Sequence, residues 1–189
     1  SKGSIGSWDY YHIKEAIKLF KEKVFISATL GDIFDNGKFE EKLNSFDNLD
    51  LDYIKFGLLS LNNEDLFAKL RFVALEQFKT KLVCVVFVDH KKSLNRVESN
   101  LKFFLDCGIK YILLDTFRKD KGSLLDFCNI TFLKNFIFKC RKLDIKVGLA
   151  GGLKESQVPF LLNLKPSIVG FRSAICQSNK REASISMKN

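Results

Sequence analysis

The chain has 189 residues, 46% of them hydrophobic and 28% charged, enough apolar content for one folded domain and too much for a disordered one. Two prolines and eleven glycines exclude collagen-like and low-complexity classes, and no apolar run approaches the roughly 18 residues that cross a bilayer. Lys and Arg number 31 against 22 Asp and Glu, a formal charge of +9. These cations are interleaved with acids (KEKVF, RKDKG, KCRKLDIK) and form no long basic block. Small phosphorylated substrates therefore fit the charge better than nucleic acid or a membrane surface, and most of the lysines read as a solvated helical surface.

In chain order, the opening SKGSIGSWDYYHIKEAIKLF lacks the build of a signal peptide. Residues 8–23 form an amphipathic helix with Ile13, Ile17 and Phe20 on one face. Short apolar runs at 24–29, 51–56, 81–88, 110–115, 145–150 and 167–171 read as strands covered on both faces. Between them lie helices: one with Leu66, Leu70, Val73 and Ala74 inward, then 94–106, 131–143 and 155–164. The polar residues from Gln177 onward form a tail expected to be mobile, so residues 1–176 are read as a single domain and 177–189 as its extension. Five widely spaced cysteines show no CxxC or metal-ligand spacing; Cys84 and Cys140 lie in apolar surroundings, and reduced, cytoplasmic thiols are the expectation.

Helices alternating with parallel strands define an α/β protein whose ligands gather at the carboxyl ends of the strands. Two architectures fit: an open doubly wound sheet and a (β/α)8 TIM barrel. Polar residues or glycines at nearly every strand end favour the barrel, and GxGxxG is absent. Six strands after an initial helix correspond to the third to eighth strands of a barrel, so the barrel is expected to be N-terminally incomplete.

Candidate chemistry gathers at those strand ends. Lys55, inside the apolar DYIKFGL, is costly to bury against helices, and pointing into a barrel mouth would lower its pKa as a base or imine-forming amine requires. A lysine snorkelling at a strand end is the competing reading. Asp115 closes a strand in LLDTFRKDKG, and Lys119 follows four residues later, an acid and an amine suited to proton shuttling. Gly151 and Gly152 in GLAGGLKES, which leads into a helix containing Ser156, and Arg172 and Ser173 in VGFRSAIC, suit phosphate binding through backbone amides and a cation. Asp32 in SATLGD is placed to orient a lysine or to end a strand. Asp89 and His90 stand at another strand end, where His90 touches substrate or lies solvated. Trp8 and His12 read as helix surface or packing.

Taken in order, SKGSIG, SATLGD, YIKFGL, LLDT-x-x-KD, GLAGGL and IVGFRSAIC resemble the motifs of the (5-formylfuran-3-yl)methyl phosphate synthase family, the barrel enzymes of methanofuran biosynthesis. The resemblance implies a lyase that condenses two molecules of glyceraldehyde 3-phosphate through a Schiff base, with loss of phosphate and water, and implies no metal or organic cofactor. It makes Lys55 the proton acceptor, Asp115 and Lys119 the active-site Asp and Lys, and the Gly151–Gly152 and Arg172–Ser173 segments the phosphate contacts. The family's imine-forming lysine belongs to a D-x-K-[ND]-P motif that would fall a few residues before Ser1, and Lys2 is not a substitute. Another phosphosugar aldolase or isomerase, and a non-catalytic phosphate-binding remnant, stand as alternatives; a nucleic-acid binder rests on charge alone. No nucleic-acid or membrane partner is expected, and a homo-oligomer is left open.

Overall fold

The computed structural model describes residues 6, 9–33, 38–59, 63–118, 120–172 and 176. Within them, six parallel strands form one sheet in sequence order: β1 (Ser27–Asp32), β2 (Tyr53–Gly57), β3 (Lys81–Phe87), β4 (Tyr111–Asp115), β5 (Lys146–Leu149) and β6 (Ile168–Val169). Eight helices accompany them: α1 (Tyr10–Phe20), α2 (Phe39–Asp47), α3 (Asn63–Leu75), α4 (Lys91–Ser99), α5 (Leu101–Asp106), α6 (Leu124–Phe127), α7 (Ile130–Lys142) and α8 (Val158–Leu162). Among the described residues no helix is long and apolar enough to cross a membrane. Trp8 and the 177–189 tail lie outside the described residues.

Strand parity divides the sheet into two faces. Ala28, Leu30, Ile54, Phe56, Leu82, Cys84, Val86, Ile112, Leu114, Val147 and Leu149 pack in one core with the helices. Phe39 of α2 meets Phe56 edge-on, with ring centroids 5.6 Å apart. The other parity (Thr29, Tyr53, Lys55, Val83, Tyr111, Leu113, Asp115) is only half-buried. Val85 and Phe87 are buried on this second face, apart from the helix-side core. At the strands' amino ends it carries an aromatic pair, Tyr53 and Tyr111, 5.5 Å between centroids, with Lys81 and Lys146 each lying over one ring.

The helices follow their caps and apolar spacing. Asp9 accepts the His12 N–H at the start of α1, and Asn129 accepts the Phe132 N–H at the start of α7. Helix α7 turns Leu133, Phe136, Ile137 and Cys140 inward at i, i+3, i+4, i+7 spacing.

Several elements depart from the sequence expectation, each for a local reason. The first strand starts at Ser27, not at residue 24, because the Val24 N–H is spent on the Phe20 carbonyl at the end of α1; Val24 and Phe25 are exposed. The helix expected over 94–106 is two helices. Asn100 leaves helical geometry and its side-chain amide donates to the Arg96 carbonyl, a local bond that competes with the helix ladder. The segment expected as helix 155–164 is a 3-10 turn, Glu155–Gln157, followed by the five residues of α8. Leu66, Leu70 and Val73 are buried as expected, whereas Ala74 and Phe20 face outward. Helices α2 and α6 are additional to those read from periodicity.

All five cysteines are buried. Burial pushes the Cys128 thiol to about 11 and the Cys140 thiol to about 12, and holds Cys84 well above the ordinary range.

Parity has a measurable consequence in β2. Phe56→Ala empties a fully buried helix-side site and is expected to cost about 3–5 kcal/mol. Tyr53→Ala, on the half-buried face, is expected to cost clearly less; urea denaturation of the two variants checks the order.

Candidate active site

Polar residues in the middle or at the carboxyl end of a strand are admitted on the half-buried face alone, and Lys55 shows why. Its neighbours Ile54 and Phe56 are both fully buried on the helix side, so the lysine turns away from the helices. Burial there pushes the Lys55 ammonium below its ordinary pKa, and the negative charge of Asp115 offsets part of that shift. The structure thus brings Lys55 of β2 and Asp115 of β4 into electrostatic contact, across the intervening β3. An amine held below its ordinary pKa is a better proton acceptor at neutral pH than a free lysine.

Asp115 is fixed by its surroundings. Its Oδ1 accepts the Thr116 N–H at 2.7 Å, and its carbonyl accepts the Val88 N–H at 2.9 Å. Gly151, at the end of β5, presses on the same spot: a Cβ there would lie 2.8 Å from the Thr116 nitrogen and 3.0 Å from Asp115 Oδ1. Its φ of +104° is a second reason for glycine. Gly152, with φ +62°, has Ser123 against it, and the Gly151 carbonyl accepts the Leu124 N–H at 2.8 Å. The Gly-Gly step therefore clamps two stretches of the β4 loop, a packing role that turn composition alone does not reveal. The helix dipole invoked for phosphate at this loop is weak here, because the loop leads into a 3-10 turn and a five-residue helix.

Arg172 follows β6 and is exposed. Lys119 and Ser173 lie outside the described residues. Asp32 accepts the Leu59 N–H through Oδ2 at 2.5 Å, which makes it a brace for the loop after β2. Asp89 accepts two amides of the β4 loop, Phe117 N–H and Arg118 N–H, each at 2.8 Å. This link joins residues 28 and 29 positions apart, and nothing in the local sequence signals it. His90 is half-buried and its Nδ1 is buried without a hydrogen-bond partner. His12 sits on the surface against Asp9, 2.6 Å away. Phe87 and Phe117 meet edge-on at 5.4 Å, closing apolar surface beside the polar pair. Among the described residues, no group of three or more His, Cys, Asp or Glu side chains is arranged to hold a metal ion.

Comparison with known proteins adds a family. A family model described as 4-HFC-P synthase matches residues 1–189. The (5-formylfuran-3-yl)methyl phosphate synthase of Methanocaldococcus jannaschii is 27% identical over 95% of this chain and 80% of that protein. The proteins of the same name from Methanococcus aeolicus and Methanosarcina acetivorans are 28% and 25% identical, over 95% and 96% of this chain and 80% and 81% of their own length.

Two outcomes follow from this geometry. Gly108→Ala, at φ +82° with open space around it, is expected to incur backbone strain alone, about 1–2 kcal/mol. Gly151→Ala meets the Thr116 backbone as well and should be the more destabilising of the two on chemical denaturation. For Lys55, the charged form is penalised by burial, so stability is reduced below the lowered folded pKa and recovers as pH rises toward the free-lysine value of roughly 10.4. Lys55→Met is therefore expected to raise the Tm at neutral pH by a few degrees, with the gain fading over that alkaline window; a lower Tm at neutral pH would contradict the assignment.

Proposed function

The chain belongs to the 4-HFC-P synthase family, and on that premise we propose that it is a lyase-type synthase acting on glyceraldehyde 3-phosphate by Schiff-base chemistry. The single observation that carries the reading is the juxtaposition of Lys55 and Asp115 on the half-buried sheet face, with the lysine pKa lowered by burial. The named relatives, (5-formylfuran-3-yl)methyl phosphate synthases, supply the product class.

In this reading the six strands belong to a TIM-type barrel. The imine-forming lysine implied by the family resemblance belongs to a D-x-K-[ND]-P motif, which is not among residues 1–189. An imine withdraws electrons from the neighbouring carbon, whose proton Lys55 then accepts as a neutral amine. The resulting carbon nucleophile adds to the aldehyde of a second triose phosphate, and loss of phosphate and water gives the furan. Asp115 offsets charge on Lys55 and shares proton movement with Lys119. Gly151, Gly152, Arg172 and Ser173 hold phosphate. The product is the furan precursor of methanofuran.

The test incubates the protein with glyceraldehyde 3-phosphate and follows the ultraviolet absorbance of a furan and the mass spectrum of the product. Lys55→Ala is expected to lower kcat by about 10²–10⁴-fold, the scale of a lost general base. Arg172→Ala is expected to raise KM roughly tenfold with little change in kcat, equivalent to one charge-assisted hydrogen bond. A wild-type rate in Lys55→Ala removes it as the base, and a non-furan product removes the synthase reading.

A further inference from the structure

Lys55 has one neighbour on each side along its face of the sheet, and the two differ. The pairing of β2 with β3 sets Val83 beside it, and the pairing with β1 sets Thr29 beside it. Ala28 and Leu30 are buried in the helix-side core while Thr29 is half-buried, so the Thr29 side chain stands on the face that carries Lys55. Neighbouring strands lie about 4.8 Å apart, which keeps two such side chains within reach of one small molecule. Among the described residues neither the Thr29 hydroxyl nor the Lys55 amine has a hydrogen-bond partner. The backbone marks the same spot. The β1–β2 register shifts between Thr29 and Gly31, and Gly31 has φ +121°. Thr29 is thus the last residue of β1 in unbroken register with β2, and a bulge at such a place serves to re-aim a side chain.

We propose that Thr29 is a specificity-determining residue whose side chain hydrogen-bonds the substrate hydroxyl on the carbon that gives its proton to Lys55. This rests on the synthase reading, in which that carbon of glyceraldehyde 3-phosphate lies next to the imine and carries both the proton and a hydroxyl. Two bonds of one carbon then meet two adjacent side chains of one sheet face: the proton faces the amine and the hydroxyl faces Thr29. Val83, on the other side of Lys55, has no group to offer it. A threonine hydroxyl both donates and accepts, so it pairs with a substrate hydroxyl in either sense. A site built to hydrogen-bond a substrate hydroxyl discriminates against the analogue that lacks it, because its own polar group is then left unpaired.

The test reads how well a ligand shields Lys55 from acylation by acetic anhydride, followed by peptide mass spectrometry, and so does not depend on turnover. Two ligands are compared: glyceraldehyde 3-phosphate, and 3-oxopropyl phosphate, which keeps the aldehyde and the phosphate and lacks the hydroxyl. Thr29→Val is close in shape and suits a strand. It is expected to raise the half-shielding concentration of glyceraldehyde 3-phosphate about fivefold, the scale of one neutral hydrogen bond, and to leave that of the analogue within about twofold. Thr29→Ser restores the hydroxyl and should match wild type with both ligands. Ser27→Ala, on the same strand and face, should do the same. Should Thr29→Val fail to fold, Thr29→Ala takes its place under the same criteria. An equal change for the two ligands, or no change for glyceraldehyde 3-phosphate, overturns the role of Thr29 and leaves the synthase reading standing. If glyceraldehyde 3-phosphate fails to shield Lys55 in the wild-type protein, the synthase reading falls and Thr29 falls with it.

Discussion

Each strand of this sheet must serve two surroundings at once. One face meets a continuous helix layer with no room for charge, and the other is only partly covered. Lys55 lies between two residues with no exposed surface, Ile54 and Phe56, and so has one permissible direction. The same alternation turns Asp115 and Thr29 away from the helices and keeps Leu114 and Leu30 among them. The polar pair is thus a by-product of how the helix side is filled: burying the apolar neighbours obliges the lysine and the carboxylate to share the other face. The burial that results is what weakens proton binding at Lys55.

Once the strands end, the loops lose their ladder partners, and carboxylates take over. Asp32 holds the loop after β2, Asp89 holds the loop after β4, and Asp115 turns back on its own following amide. At the amino ends Asp52 holds the Ile26 N–H and Asp47 holds Lys79 and Thr80. The Ile26 N–H, together with Lys21, keeps the Asp52 carboxyl below its usual pKa range. At these strand ends acidic side chains therefore act as backbone acceptors, so a chain with a large positive charge still needs these acids at defined places.

Much of this was legible in the sequence. The order and placement of the six strands, the inward face of α3, the span of α7, and the buried character of Cys84 and Cys140 all follow from apolar spacing, because spacing is a local property that burial enforces. Lys55 was legible for a related reason: a charge in an apolar run is conspicuous. What escaped depends on individual contacts that apolar spacing does not register, two of them within one helical turn and two between residues distant in the chain. Phe20 captures the Val24 amide and delays β1; the Asn100 side chain splits one helix into two; Gly151 is required by the Thr116 backbone; and Asp89 is tied to amides nearly thirty residues away. Val85 and Phe87 also hid their direction, since the run around them is apolar on both parities.

The buried thiols give the molecule a built-in gauge of its own integrity. A thiol reacts as its thiolate, and at neutral pH the native chain offers almost none from Cys84, Cys128 or Cys140. These three sit on β3, at the end of α6 and on α7, so their capture by an alkylating reagent would time the opening of separate parts of the fold without any introduced probe.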